Sequence, residues 1–166
     1  MQDPFRLQLV ALLPQLRRFA LALSGSPDTA DDLVQTGCIR ALASSQQWQP
    51  GTRMDSWMYR ILQNLWIDQR RSRATAAVDE SLDDIDAIAD EADFEHTMHA
   101  QMSLQQVLQA MQKLPDAQRS LLALVSVEGL SYKEAAEVLD IPLGTVMSRL
   151  CRARTALKLH LQETPA

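Results

Sequence analysis

Apolar residues recur at steps of three and four along most of this chain, the spacing of one face of an α-helix. Phe5, Leu9, Leu12, Leu13, Leu16, Phe19 and Leu23 form the first such run. Pro14 lies inside it and should kink or divide the helix, and Ser24-Gly25 should end it. Ser26-Pro27 predicts a new start, with the serine as cap and the proline at the first helical position. Asp28, Asp31 and Asp32 then fall near the positive end of the helix dipole. Leu33, Val34, Cys38, Ile39 and Leu42 continue the apolar side, and Gly37 weakens this helix by about 1 kcal/mol relative to alanine. After a polar stretch around Trp48 with a Pro-Gly turn, residues 53–73 predict a third helix. Its inward face is Met54, Trp57, Met58, Ile61, Leu62 and Leu65. Arg60, Asn64, Ile67 or Asp68, and Arg71 line another face, with Tyr59 and Trp66 beside it.

The pattern resumes near residue 101. Leu104, Val107, Leu108 and Met111 predict one helix, and Leu121, Leu122, Leu124 and Val125 the next, with Gly129 as its C-cap. Ser131 and Glu134 have the spacing of a capping box, opening a helix with Ala135, Ala136 and Leu139 on its narrow apolar side. Pro142 restricts Ile141 and removes a donor, so this helix should stop near Leu139. A last helix restarts around Gly144-Thr145 and aligns Val146, Leu150, Ala153, Leu157 and Leu161. Ser148, Arg149, Arg152, Arg154 and Lys158 occupy its other sides. Two helices at a sharp corner, the second basic, are the helix-turn-helix arrangement, whose second helix enters the DNA major groove. With β-branched runs absent and glycine scarce, the predicted class is all-α, two small helical domains.

Net charge changes the picture once it is divided. The whole chain carries −5, an unpromising value for a DNA binder. Residues 1–73 hold nine basic and six acidic side chains, net +3; residues 74–100 hold nine acids and no base; residues 101–166 hold seven bases and six acids, net +1. Two mildly basic blocks therefore flank an acidic segment. That segment is expected to be a flexible linker and domain boundary, dividing the chain into 1–73, 74–100 and 101–166. Its 27 residues could span up to about 90 Å. Between Ile141 and Gln162 there are four bases and no acid, and it is this local field that meets phosphate.

Cys38 and Cys151 are far apart and form no CxxC pair, so neither a disulfide framework nor a metal site is expected, and no cofactor is implied. No apolar run is long enough to span a bilayer and no signal pattern opens the chain, which predicts a cytoplasmic protein without membrane insertion. No catalytic triad, P-loop or carboxylate pair stands out, so an enzyme is not expected. The Trp48 loop and the third helix interleave aromatics, arginines and an amide, a composition suited to unpaired nucleic acid. Trp57 and Trp66 each suit the helical core better than a base platform.

The string Asp31-Asp32-Leu33-Val34-Gln35, the helix TRMDSWMYRILQNLWIDQRR and the run LPDAQRSLLALVSVEGLSYKEAAEVLDIPLGTVMSRLCRAR together resemble the extracytoplasmic-function sigma factors. These are two-domain members of the sigma-70 family of bacterial initiation factors. The resemblance spans about Leu9 to Leu159. It implies that Asp31, Asp32, Leu33 and Gln35 dock core RNA polymerase. It implies that the loop bearing Gln47, Trp48, Gln49 and Thr52 holds a base flipped from the −10 element, and that Trp57, Arg60 and Asn64 contact the melted strand. Lys133, Thr145, Met147, Ser148, Arg149, Arg152 and Arg154 would meet the −35 duplex, with Met147 standing where many members carry a basic residue. Core polymerase, promoter DNA and an anti-sigma factor are the implied partners. Two other readings use the same residues: a sigma-like protein that sequesters an anti-sigma factor, and a plain helix-turn-helix regulator.

Overall fold

A computed structural model describes residues 3–73 and 103–163. The acidic segment expected to be a flexible linker lies outside the described residues. Among the described residues there are seven α-helices and no strand: α1 (Pro4–Ser24), α2 (Pro27–Ala43), α3 (Met54–Arg73), α4 (Leu104–Gln112), α5 (Asp116–Leu122), α6 (Tyr132–Leu139) and α7 (Leu143–Glu163). The all-α expectation is met.

Local rules account for most boundaries. Asp3 accepts the Phe5 amide at 3.1 Å and opens α1. Ser26 caps α2 by accepting from Thr29, with Pro27 at the first helical position as expected. Ser103 and Gln106 form a capping box on α4. Pro14 neither divides nor ends α1, which runs unbroken through it. The proline and Val10, whose carbonyl loses its helical donor, both face solvent, where water can take the donor's place.

Helices α1, α2 and α3 pack as one unit around Leu16, Phe19, Leu23, Leu33, Met58 and Leu62, all fully buried. The buried side of α2 is narrow: Ala30, Leu33, Val34, Gly37 and Ala41. Ile39 and Leu42, expected inward, are exposed instead, because the small residues carry the close contact. A Cβ added to Gly37 would lie 2.6 Å from Leu62 Cδ2. The glycine that weakens the helix is therefore what lets α3 approach it.

Helices α4 to α7 form the second unit. Leu104, also expected inward, is 67% exposed, and Ala110 and Met111 take the buried positions. Between α5 and Gly129 the chain adopts a π turn over Ala123–Val127, in which the Glu128 amide donates to Ala123 O at 2.9 Å. Gly129 comes next with φ 76°, as its expected role as a cap requires.

The two units are packed together. Arg119, 2% exposed, is the polar centre of the contact. Its Nε donates to Met111 O (2.9 Å), Nη2 to Leu114 O (2.8 Å) and Gln112 O (3.2 Å), and Nη1 to Asp116 Oδ1 (3.1 Å) and, in the other unit, Leu23 O (3.1 Å). All five guanidinium donors are used. Burial lowers the Arg119 pKa, an effect opposed by Asp116, yet an arginine stays charged. Gln112 Nε2 adds a contact to Leu23 O at 3.3 Å. The carbonyls at the end of α1, orphaned by helix geometry, are thus met by the second unit. Gly25 ends that helix at φ 72°, where a Cβ would strike the Gln112 side chain at 2.8 Å.

Gly37→Ala gains about 1 kcal/mol of helix propensity but overpacks Leu62 at a cost of about 1–3 kcal/mol. The expected net effect is a loss of about 1 kcal/mol in urea denaturation; a gain in stability would contradict the close α2–α3 approach.

Candidate nucleic-acid interface

The helix-turn-helix is built as the residues direct. Ser131 Oγ accepts the Glu134 amide at 3.0 Å and Glu134 Oε1 accepts the Ser131 amide at 2.8 Å, completing the capping box. Asp140 turns the corner in the left-handed region at φ 55°. Pro142 O accepts from Thr145 (3.0 Å) and Val146 (3.1 Å), which starts α7. Val146, Leu150, Ala153, Leu157 and Leu161 are all buried, as the spacing predicts.

The outer side of α7 carries the sequence-predicted set. Met147 is 54% exposed. Ser148 is exposed, its hydroxyl donating to Thr145 O at 3.2 Å. Thr145, Arg149 and Arg152 are half-buried, and Lys133 is exposed on α6. Arg154 is placed elsewhere: it is buried, with Nη1 3.3 Å from the Tyr132 hydroxyl, inside the corner between α6 and α7.

A second polar surface lies on the first unit. After α2 a 3₁₀ turn, Ser45–Gln47, leads to Trp48. Thr52 pins the loop by donating its amide (3.1 Å) and hydroxyl (2.6 Å) to Gln49 O. Gln47, Gln49 and Thr52 are exposed. Phe5 stands edge-on to both Trp48 (5.7 Å, 61°) and Trp57 (5.9 Å, 73°) and joins loop to helix. Both tryptophans are half-buried, and Trp48 Nε1 is covered with no protein acceptor. Arg60 and Asn64 are exposed on α3, as expected. Together with Gln63, Ile67, the α6 residues Val138 and Leu139 and the corner residue Asp140 they line a cavity of about 230 Å³. Tyr59 and Trp66, expected beside the basic side of α3, are buried, so neither ring is open to stacking. Burial, reinforced by its bond to Glu128, raises the Tyr59 phenol pKa well above the ordinary value.

On α2, Asp31, Asp32 and Gln35 are exposed and Asp31 pairs with Arg17 at 2.7 Å. Leu33 is fully buried, so it belongs to the core and not to the exposed face of those polar neighbours. Among the described residues no cluster of three metal-ligating side chains occurs and no helix is long and apolar enough to cross a membrane.

The family description "Sigma-70 region 2" matches residues 9–75, and "Sigma-70, region 4" matches residues 104–157. The ECF RNA polymerase sigma factor EcfG of Rhodopseudomonas palustris is 37% identical over 160 residues, covering 96% of this chain and 86% of that protein. The chain belongs to the extracytoplasmic-function sigma factors. SigE of Mycolicibacterium smegmatis is 36% identical, covering 87% of this sigma factor and 56% of its relative. SigW of Bacillus subtilis is 28% identical and covers 98% and 91%. Among solved structures, the sigma factor RpoE of Bartonella quintana, determined in complex with the anti-sigma factor NepR, matches with a TM-score of 0.74 and 30% identity over 97% of this sigma factor and 98% of that chain.

Phe5→Ala removes the ring shared by Trp48 and Trp57. The expected result is a loss of about 3 kcal/mol in denaturation, with red-shifted tryptophan emission and stronger acrylamide quenching as the loop loosens.

Proposed function

We propose that this sigma factor is a dissociable specificity subunit that joins core RNA polymerase and directs it to a class of promoters. The observation that carries the reading is the joint match to both sigma-70 regions in one chain. The proposed units are residues 1–73 and 101–166, joined by an acidic linker over 74–100.

Each unit has a task suited to its exposed chemistry. The outer side of α7, with Thr145, Met147, Ser148, Arg149 and Arg152, meets the −35 duplex, and Lys133 adds a phosphate contact from α6. A bidentate arginine–guanine pair discriminates by roughly 1–3 kcal/mol. Met147 offers only apolar contact, which suits a thymine methyl. Arg154 acts from inside the corner, holding the angle between α6 and α7. On the first unit, the loop Gln47, Trp48, Gln49 and Thr52 receives a base extruded from the −10 element, at an unstacking cost of a few kcal/mol. Arg60 and Asn64 hold the unpaired strand, and Trp57 supports the loop. Asp31, Asp32 and Gln35 dock the polymerase, with Leu33 fixing their helix from within. The work is binding and strand separation in the cytoplasm, with no catalysis or cofactor of its own. An anti-sigma factor is the proposed negative partner, in keeping with the complex in which the Bartonella quintana relative was solved.

Reconstitution with core polymerase and run-off transcription on genomic fragments tests the reading: start-site selection is expected, and its absence would refute it. Arg149→Ala with Arg152→Ala should reduce transcription from a −35-dependent promoter at least about tenfold, since each lost contact is worth about 1–3 kcal/mol, with polymerase binding unchanged in a pull-down. Asn64→Ala should slow promoter opening more than closed-complex formation in stopped-flow fluorescence.

A further inference from the structure

The seam between the two units engages groups that the proposed function needs free. Arg60 donates to Glu137 O on α6. Arg53 pairs with Glu134 on the same helix. Val138 and Leu139 of α6 and the corner residue Asp140 close one side of the cavity that Arg60 and Asn64 line, and Asp140 places a carboxylate there against any phosphate. On promoter DNA the −35 and −10 contacts stand one to two helical turns apart, roughly 34–70 Å. In this structure α6, which bears Lys133, touches the Arg60 face of α3. The described arrangement and simultaneous engagement of both elements exclude each other.

One contact in the seam stands apart. Arg70–Asp116 (3.4 Å) has both partners substantially exposed, and pairs of that kind contribute little. The Glu128 side chain is 0% exposed. It accepts Arg18 Nε at Oε2 and Arg18 Nη2 at Oε1, both at 2.8 Å, and the Tyr59 hydroxyl at Oε1, also at 2.8 Å. All three donors come from the first unit and the acceptor from the second. Removing one partner of a covered, hydrogen-bonded charge leaves the other uncompensated, a much larger penalty than loss of a surface pair. Arg18 keeps 53% of its side chain in solvent, so the clamp is open to competition from outside.

We infer that the free sigma factor masks its own strand-binding face: Glu128, clamped by Arg18 and Tyr59, holds α6 over Arg60 and Asn64, and release of this clamp uncovers them. The inference rests on the proposed role of the α3 face. Glu128 and Arg18 have no assigned contact with DNA or polymerase, and they regulate access.

The test uses the full chain with Cys38→Ser and Cys151→Ser, spin-labelled at Ala43→Cys and Gln162→Cys, two exposed positions on opposite units. Arg18→Gln and Glu128→Gln each break the clamp and shift net charge in opposite directions, so a change common to both is not a simple phosphate attraction. Arg18 is largely exposed, which keeps that variant informative if Glu128→Gln lowers the helical circular dichroism. The expected result is a distance distribution that lengthens and broadens in both variants. Binding of the free protein to a fluorescein-labelled oligothymidine strand should tighten by about tenfold, because apparent affinity scales with the competent fraction. Unchanged distances in the Arg18→Gln chain overturn the clamp, and lengthened distances without tighter strand binding overturn the masking. The label distances report on the seam without reference to transcription, so failure of promoter selection in reconstitution is a separate result.

Discussion

The buried guanidinium of Arg119 is the constraint around which the second half of this sigma factor is organised. Helix α4 ends at Gln112 and α5 begins at Asp116, and the intervening corner leaves several carbonyls without helical donors. One side chain meets Met111, Gln112 and Leu114 there, and extends to Leu23 in the other unit. A lysine could not reproduce this, because its donors radiate from a single point and not from a planar fork. Four of the five bonds remain within the second unit, so the corner can outlast separation of the units while the Leu23 contact cannot.

Cations are distributed along this sigma factor according to what surrounds them. Those on the outer side of α7 lie in a stretch of sequence without acids. Those of the first unit that face the second, Arg18, Arg53, Arg60 and Arg70, are each matched there by a carboxylate or a carbonyl. The whole-chain charge therefore says little about nucleic-acid affinity in any one conformation. Which surface is cationic depends on whether the seam is closed.

Much of the fold was legible because its signals are local. Ser26-Pro27, the Ser131 and Glu134 box, the break before Pro142 and the stripe from Val146 to Leu161 each arise from a few adjacent residues. The solvent-facing set on α7, together with Lys133, was legible for the same reason, since a helix repeats its faces predictably. Three kinds of feature were not. Ile39 and Leu42 face outward because the small residues Ala30, Gly37 and Ala41 make the contact, and a pattern read by side-chain bulk points the wrong way. Tyr59 and Trp66 are enclosed, not presented, and Arg154 turns inward to Tyr132: its charge groups it with the half-buried Arg149 and Arg152, although it lies four residues after the buried Leu150 and three before Leu157. The Arg18–Glu128 pair joins residues 110 positions apart, and no local spacing marks either one.

The π turn before Glu128 has an evolutionary reading. A wide turn of this type accommodates one residue more than the regular ladder, and such turns are characteristically found at functional places. The turn absorbs that extra residue, whereas one residue added or removed within α5, with no such turn to take it up, would swing the downstream chain by about 100°. Glu128 would then leave Arg18 and Tyr59 with its own identity unchanged. The coupling of the two halves is in this respect written as a length, so related proteins could gain or lose it through one codon's insertion or deletion.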